Sequence, residues 1–313
     1  MGSSKTVSFT LSLAVQSPSA VQPFFCPFAT CTSLTFNAAS GSFQLGDILI
    51  DSQIFFTLIP IGALAGFVAG LFGIGGGVVT VVVLVILLPD LGVPPTRVMH
   101  VALGTSLAAI VMTSLSSTFS HHRRGAVRWS IVWRLAPATA LGAILGGAVA
   151  HFIPDRALRI GFGVFLLVVA VRLWRGKSTG QSHPLPGTPL LLGVGGVIGA
   201  LSSWTGIGGG SLTGPFLMAR SVAPREAVAT SAAVGFPIAV AGALGYLLGG
   251  SGQVGLPDWT FGYVYLPAAV VLGLSAMLIA PLGAKLTHSL PPHYLKMAYA
   301  SLLGLAAIKV MLG

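Results

Sequence analysis

A glycine run occurs twice in this chain, each time inside a long apolar stretch: Phe72-Gly73-Ile74-Gly75-Gly76-Gly77 and Thr205-Gly206-Ile207-Gly208-Gly209-Gly210. A glycine in a helix interior costs about 0.5–1 kcal/mol relative to alanine. Clustered in this way, the glycines predict that the backbone breaks. In a bilayer a broken helix persists only where protein buries the break or water reaches it. Each run therefore marks either very close helix packing or a binding cavity. The duplication favours the cavity, because transporters built from repeats place their substrate at paired broken helices.

The chain has 313 residues, 54% hydrophobic and 7% charged, where a soluble domain carries about 25% charged residues. It is read as an integral, multi-pass membrane protein with room for about eight to ten spans of about 20 residues. The formal charge of +10 does not point to nucleic acid, because the bases sit at the ends of apolar segments, where cytoplasmic loops collect Lys and Arg. The two cysteines, Cys26 and Cys31, precede the apolar body. That excludes thiol catalysis and a Cys-ligated metal within it. The runs also lack the Lys-Ser/Thr of a phosphate-binding loop, so no enzyme, no ATP-driven pump and no cofactor is expected.

Residues 1–52 are rich in Ser, Thr, Phe and Pro and are expected to form an N-terminal extension, either targeting or disordered. Helices are expected over about 54–72, 78–88, 98–119, 131–152 and 157–174, the first membrane repeat being 53–174. A polar linker, 175–188, leads to a second repeat, 189–313, with segments over about 189–205, 211–219, 226–249, 260–287 and 293–311. Gly66–Gly77 matches Gly199–Gly210 without a gap, and Gly104-Thr105-Ser106 matches Ala229-Thr230-Ser231. Leu135-Ala136-Pro137 is similar to Tyr265-Leu266-Pro267, and Ile153-Pro154 to Leu290-Pro291. The same order of matches predicts a duplication. The expected fold is all-α, two inverted repeats of four to five transmembrane segments each, with helices broken at the runs. Arg123, Arg124 and Arg128 place loop 120–130 in the cytoplasm. Loop 250–259, with Asp258 and no Lys or Arg, then lies outside with both termini.

A helix that restarts after a glycine run offers free N–H groups and the positive end of its dipole, a recipe for an anion site. Gly75, Gly76 and Gly77 would supply one such end and Gly208, Gly209 and Gly210 the other. The hydroxyl pairs Thr105-Ser106 and Thr230-Ser231 could add neutral donors, although a hydroxyl in a helix commonly bonds its own backbone. Asp47, Asp51, Asp90, Asp155, Glu226 and Asp258 all lie in the N-terminal stretch or at segment ends. A cation pathway usually carries an intramembrane acid, so an anion fits better. His100 and His151 stand isolated at segment ends, His100 being a candidate titrating gate. His121-His122 falls in a basic loop, and no histidine set suits a metal. Trp204 precedes the second run and suits packing.

The stretch Gly66-Phe67-Val68-Ala69-Gly70-Leu71-Phe72-Gly73-Ile74-Gly75-Gly76-Gly77 followed by Gly104-Thr105-Ser106 resembles the TauE/SafE family of sulfite exporter-like permeases. The echo at Gly206–Gly210 with Thr230-Ser231 is similar to that family's second half, as is His121 to Val127. The resemblance covers about residues 54–312. It implies secondary transport of a small anion, sulfite or an organosulfonate, across a bacterial inner membrane. It also implies a binding site at Gly75, Gly76, Gly77, Thr105, Ser106, Gly208, Gly209, Gly210, Thr230 and Ser231. Ala229 departs from the glycine expected there. An anion channel and a non-transporting scaffold remain the alternatives, and a homodimer is left open. On the transporter reading, Gly76→Ala and Gly209→Ala would weaken anion binding while the protein stays folded.

Overall fold

The computed structural model describes residues 46–73, 75–175, 187–286 and 292–312. Residues 1–45 of the expected extension and most of the linker lie outside the described residues. The first half contains α1 (Gly46–Phe72), α2 (Gly77–Leu87), α3 (Val98–His122), α4 (Trp129–Ala150) and α5 (Asp155–Arg175). The second contains α6 (Thr188–Thr205), α7 (Gly210–Met218), α8 (Pro224–Gly249), α9 (Leu266–Leu286) and α10 (Pro292–Leu312). A two-stranded antiparallel hairpin, β1 (Thr260–Phe261) and β2 (Val264–Tyr265), precedes α9. Helix boundaries follow local chemistry. Pro89, Pro94 and Pro95 keep the link between α2 and α3 out of helix. Pro224 opens α8, where its missing N–H has no partner to lose.

Four of these helices, α3, α4, α8 and α9, are each long and apolar enough to cross a membrane. The protein is an all-α integral membrane protein. Helices α3 and α8 pack on each other at the centre, the most apolar windows being 78% and 72% buried within the protein. The corresponding windows of α4 and α9 are only 44% and 39% buried, which puts these two on the outside. Helix α4 packs on α6 and α8, α9 packs on α3, and α5 pairs with α10. The outward faces carry rows such as Leu141, Leu145 and Val149 on α4 and Leu274, Leu278 and Leu282 on α9, all exposed. Apolar rows of this extent suit lipid tails.

Small residues let these helices approach. A Cβ on Gly66 of α1 would stand 2.2 Å from the carbonyl oxygen of Ala276 in α9, and one on Gly70 would stand 2.0 Å from that of Ala280. A Cβ on Gly142 of α4 would stand 2.0 Å from the Gly196 carbonyl oxygen of α6. In lipid, helix association rests on such close packing rather than on expelling water.

The structure departs from the expected helix over 260–287, which begins only at Leu266. The six residues before it form the hairpin, pairing Thr260 with Tyr265 and Phe261 with Val264. Trp259 (φ 66°) and Gly262 (φ 57°) are left-handed, a conformation that a helix cannot contain. The continuous apolar character of 260–287 hid this turn.

Gly142→Ala should lower the midpoint of thermal unfolding in detergent, because overpacking against fixed backbone costs about 1–3 kcal/mol. Gly193→Ala, which meets nothing within 4 Å, should leave the midpoint unchanged or raise it, alanine being the better helix former.

Candidate functional site

The two glycine runs lie against each other. A Cβ on Gly77 would stand 2.3 Å from the Gly206 carbonyl oxygen and 2.9 Å from Cα of Ile207, and one on Gly75 would stand 3.7 Å from Cα of Gly208. Backbones come this close only where no side chain intervenes. Gly76 (φ 73°) and Gly209 (φ 74°), the N-caps of α2 and α7, are left-handed, which costs an L-residue roughly 1–2 kcal/mol. Each short helix thus begins on a glycine turn. Its first amides lack intrahelical acceptors and carry the positive end of the dipole.

The serines of the two hydroxyl pairs reach the runs crosswise. Ser106 of α3 lies 2.9 Å from the carbonyl oxygen of Gly206, in the second run. It shares a 2.7 Å hydrogen bond with Thr80, whose hydroxyl is also 3.0 Å from the Gly77 carbonyl. Ser231 of α8 donates to Val228 of its own helix at 2.9 Å and stands 3.5 Å from the carbonyl of Gly73, in the first run. The threonines turn elsewhere, because neighbours on a helix project about 100° apart. Thr105 accepts the Tyr265 N–H at the start of α9 (2.9 Å), and Thr230 accepts the Arg128 N–H just before α4 (3.1 Å). Each threonine pins the loop that launches a helix of the other half.

Two hydroxyls that sequence reasoning did not single out complete the second run. Ser202, in the last turn of α6, and Thr213, in the first turn of α7, are 1% and 0% exposed, and their side-chain oxygens have no hydrogen-bond partner. A Cβ on Gly209 would stand 3.5 Å from the Ser202 oxygen and 3.6 Å from that of Thr213. An unpaired buried hydroxyl costs about 1–3 kcal/mol, which is tolerated where a ligand supplies the partner. Thr213 was legible: it follows its run by the same interval as Thr80 follows the first. Ser202 was not, since the first copy has Ala69 there. The halves therefore differ. The first closes its hydroxyls on each other, and the second leaves two open.

The site is packed shut. Ile110 presses on Gly75 and Gly77, and Ile238 on Gly209. The test by Gly76→Ala also changes meaning. A Cβ there would stand 2.5 Å from the Ala65 carbonyl, so the substitution probes folding rather than binding. Trp204 donates to the Gly146 carbonyl (2.8 Å), tying α6 to α4. Glu226 pairs with Arg128 (2.6 Å). His100 and His151, isolated in the sequence, both stand beside Tyr263, with ring centroids 5.0 and 6.1 Å away.

A family model described as "Sulfite exporter TauE/SafE" matches residues 58–310. Among curated proteins, a "Probable membrane transporter protein" of Haemophilus influenzae is 37% identical over 253 residues, covering 80% of this chain and 96% of the relative. One from Methanocaldococcus jannaschii is 28% identical, covering 82% and 97%, and YdhB of Bacillus subtilis is 30% identical, covering 77% and 94%. No solved structure matches the chain significantly.

Thr105→Val and Thr230→Val should each lower the unfolding midpoint, since each removes a part-buried hydrogen bond worth about 0.5–1.5 kcal/mol. Thermal unfolding of the two variants should give losses of similar size, because the two hydroxyls do the same work at opposite ends of the bundle.

Proposed function

The chain belongs to the sulfite exporter TauE/SafE family of membrane transporters, and from that premise we propose that it is a secondary transporter of sulfite or an organosulfonate. The substrate sits between the two glycine runs, bound by the amides that begin α2 and α7 and by neutral hydroxyls. The single observation that carries this reading is the pair of buried, unpartnered hydroxyls, Ser202 and Thr213, beside Gly209 at the start of α7. A desolvated oxyanion needs several donors at once, and this corner offers two hydroxyls and a helix N-terminus.

The halves, 53–174 and 189–313, act as inverted repeats with their helices broken at the runs. In support, Ser106 bonds the opposite run, Ser231 approaches the opposite run, and Thr105 and Thr230 anchor equivalent loops. Parting of the contact between Gly77 and Gly206 is the opening step, and reclosure behind the anion gives alternating access. Gly75, Gly76, Gly77, Gly208, Gly209 and Gly210 supply the backbone. Ser106 and Ser231 exchange carbonyl partners for substrate, and Thr105 and Thr230 hold the frame. The bacterial inner membrane is the proposed location.

Saturable uptake of 35S-sulfite or a labelled sulfonate into proteoliposomes tests the proposal. Ser202→Ala with Thr213→Val should lower the initial rate about tenfold or more, the worth of one hydrogen bond to a charged group. The same pair should hold or raise the unfolding midpoint, because it removes unpaired buried hydroxyls. A folded protein that moves none of the anions, or a double variant with an unchanged rate, would sink the idea.

A further inference from the structure

A cavity of about 810 Å³ opens at the end of the bundle where α3 begins and α4 turns into α5. It shares no residue with the glycine runs. Arg97, Arg156 and Arg159 line it, with His100, His151 and a single carboxylate, Asp155. Three guanidinium groups against one carboxylate leave a formal charge of +2 before the histidines are counted. Asp155 is already engaged: its Oδ1 accepts the Met99 N–H in the first turn of α3 (2.6 Å), and its Oδ2 stands 3.7 Å from Arg159.

A fixed hydrogen-bond frame backs the cavity. Arg97 donates to the Tyr263 hydroxyl oxygen (2.8 Å), and that hydroxyl lies 2.9 Å from His151 Nδ1. Burial raises the pKa of Tyr263, against the opposing effect of Arg97, so the phenol keeps its proton. The Tyr263 hydroxyl thus joins Arg97 and His151 in one connected frame. Arg97 retains further N–H donors beyond the one used. At the other end of α3, the base beside Thr230, Arg128, is paired with Glu226.

We propose that this cavity is a second anion site, which binds an oxyanion between Arg97, Arg156 and Arg159, with His151 at its wall. Guanidinium groups match oxyanion geometry with paired donors, and the uncompensated charge supplies the attraction. The oxyanion has two sources. One is a free solute anion, drawn in from the aqueous side. The other is a lipid phosphate, because a smaller cavity of about 290 Å³ shares Pro95 and Arg159 with the first. That trough is walled by Val82, Val85, Ile86 and Val310 beside Lys309, a surface suited to an acyl chain.

The experiment uses the full chain in phosphatidylcholine nanodiscs, with 35S-sulfate as the free-anion probe and native mass spectrometry of retained phosphatidylglycerol as the lipid probe. For a solute site, Arg97→Gln with Arg159→Gln weakens sulfate binding about tenfold or more, while Thr213→Val leaves that component intact. For a lipid site, sulfate binding is unaffected, and the wild type retains phosphatidylglycerol that the double variant loses. Arg97→Lys with Arg159→Lys restores part of either signal, since charge returns without the fork. Arg156→Gln, at an exposed side chain, gives a smaller loss of the same kind and serves if the double variant does not fold. If the glutamine variants leave both signals unchanged, the site is refuted. Loss of sulfite transport in Thr213→Val with arginine-dependent binding intact separates this site from the transport site.

Discussion

The backbone contact between Gly77 and the carbonyl of Gly206 is the interaction on which the rest of the structure depends. A side chain at Gly77 would push the two chain breaks apart, and Gly206 is held in the left-handed region (φ 59°) that favours glycine. Because the breaks meet, each can be satisfied by the other half: Ser106 from α3 serves the second run, and Ser231 from α8 approaches the first. A bilayer offers no water to an unpaired peptide group. The two interruptions are therefore tolerable together where either alone would be costly. The central position of α3 and α8 follows from this, since both must carry hydroxyls to the same point.

Around that contact the side chains divide into those that hold and those that wait. Thr105 and Thr230 spend their oxygens on the loops before α9 and α4. Thr80 and Ser106 spend theirs on each other. Ser202 and Thr213 spend theirs on nothing. The two runs, alike in sequence, are thus unequal in their hydrogen bonding. The glycine stripes of α1 and α4 let these helices close on α9 and α6 backbone to backbone, and the Trp204 hydrogen bond to Gly146 adds a directional tie between α6 and α4.

Much of this architecture was legible in residues. The glycine runs marked the places where α1 gives way to α2 and α6 to α7, and proline and polar clusters marked most other helix ends. Thr105 and Thr230 were visible as a recurring pair, but not their task, because a hydroxyl's partner is chosen by the far side of the fold. The hairpin at 260–265 was missed because its residues are as apolar as the helix that follows. The arginine cavity was missed because its walls come from stretches near 97, 155 and 311, which no spacing rule connects.

The sequence alone determined that this is a helical membrane protein, interrupted twice at the same motif and poor in buried acids. Those are properties of composition and local backbone chemistry: glycine weakens a helix wherever it stands, and a bilayer excludes charge whatever the topology. Only the tertiary structure decided that the two interruptions touch, that Ser202 and Thr213 are left open beside Gly209, and that Arg97, His151 and Tyr263 form one frame. Those depend on which helices are neighbours, and neighbourhood is settled by the packing of whole surfaces rather than by any single stretch of chain.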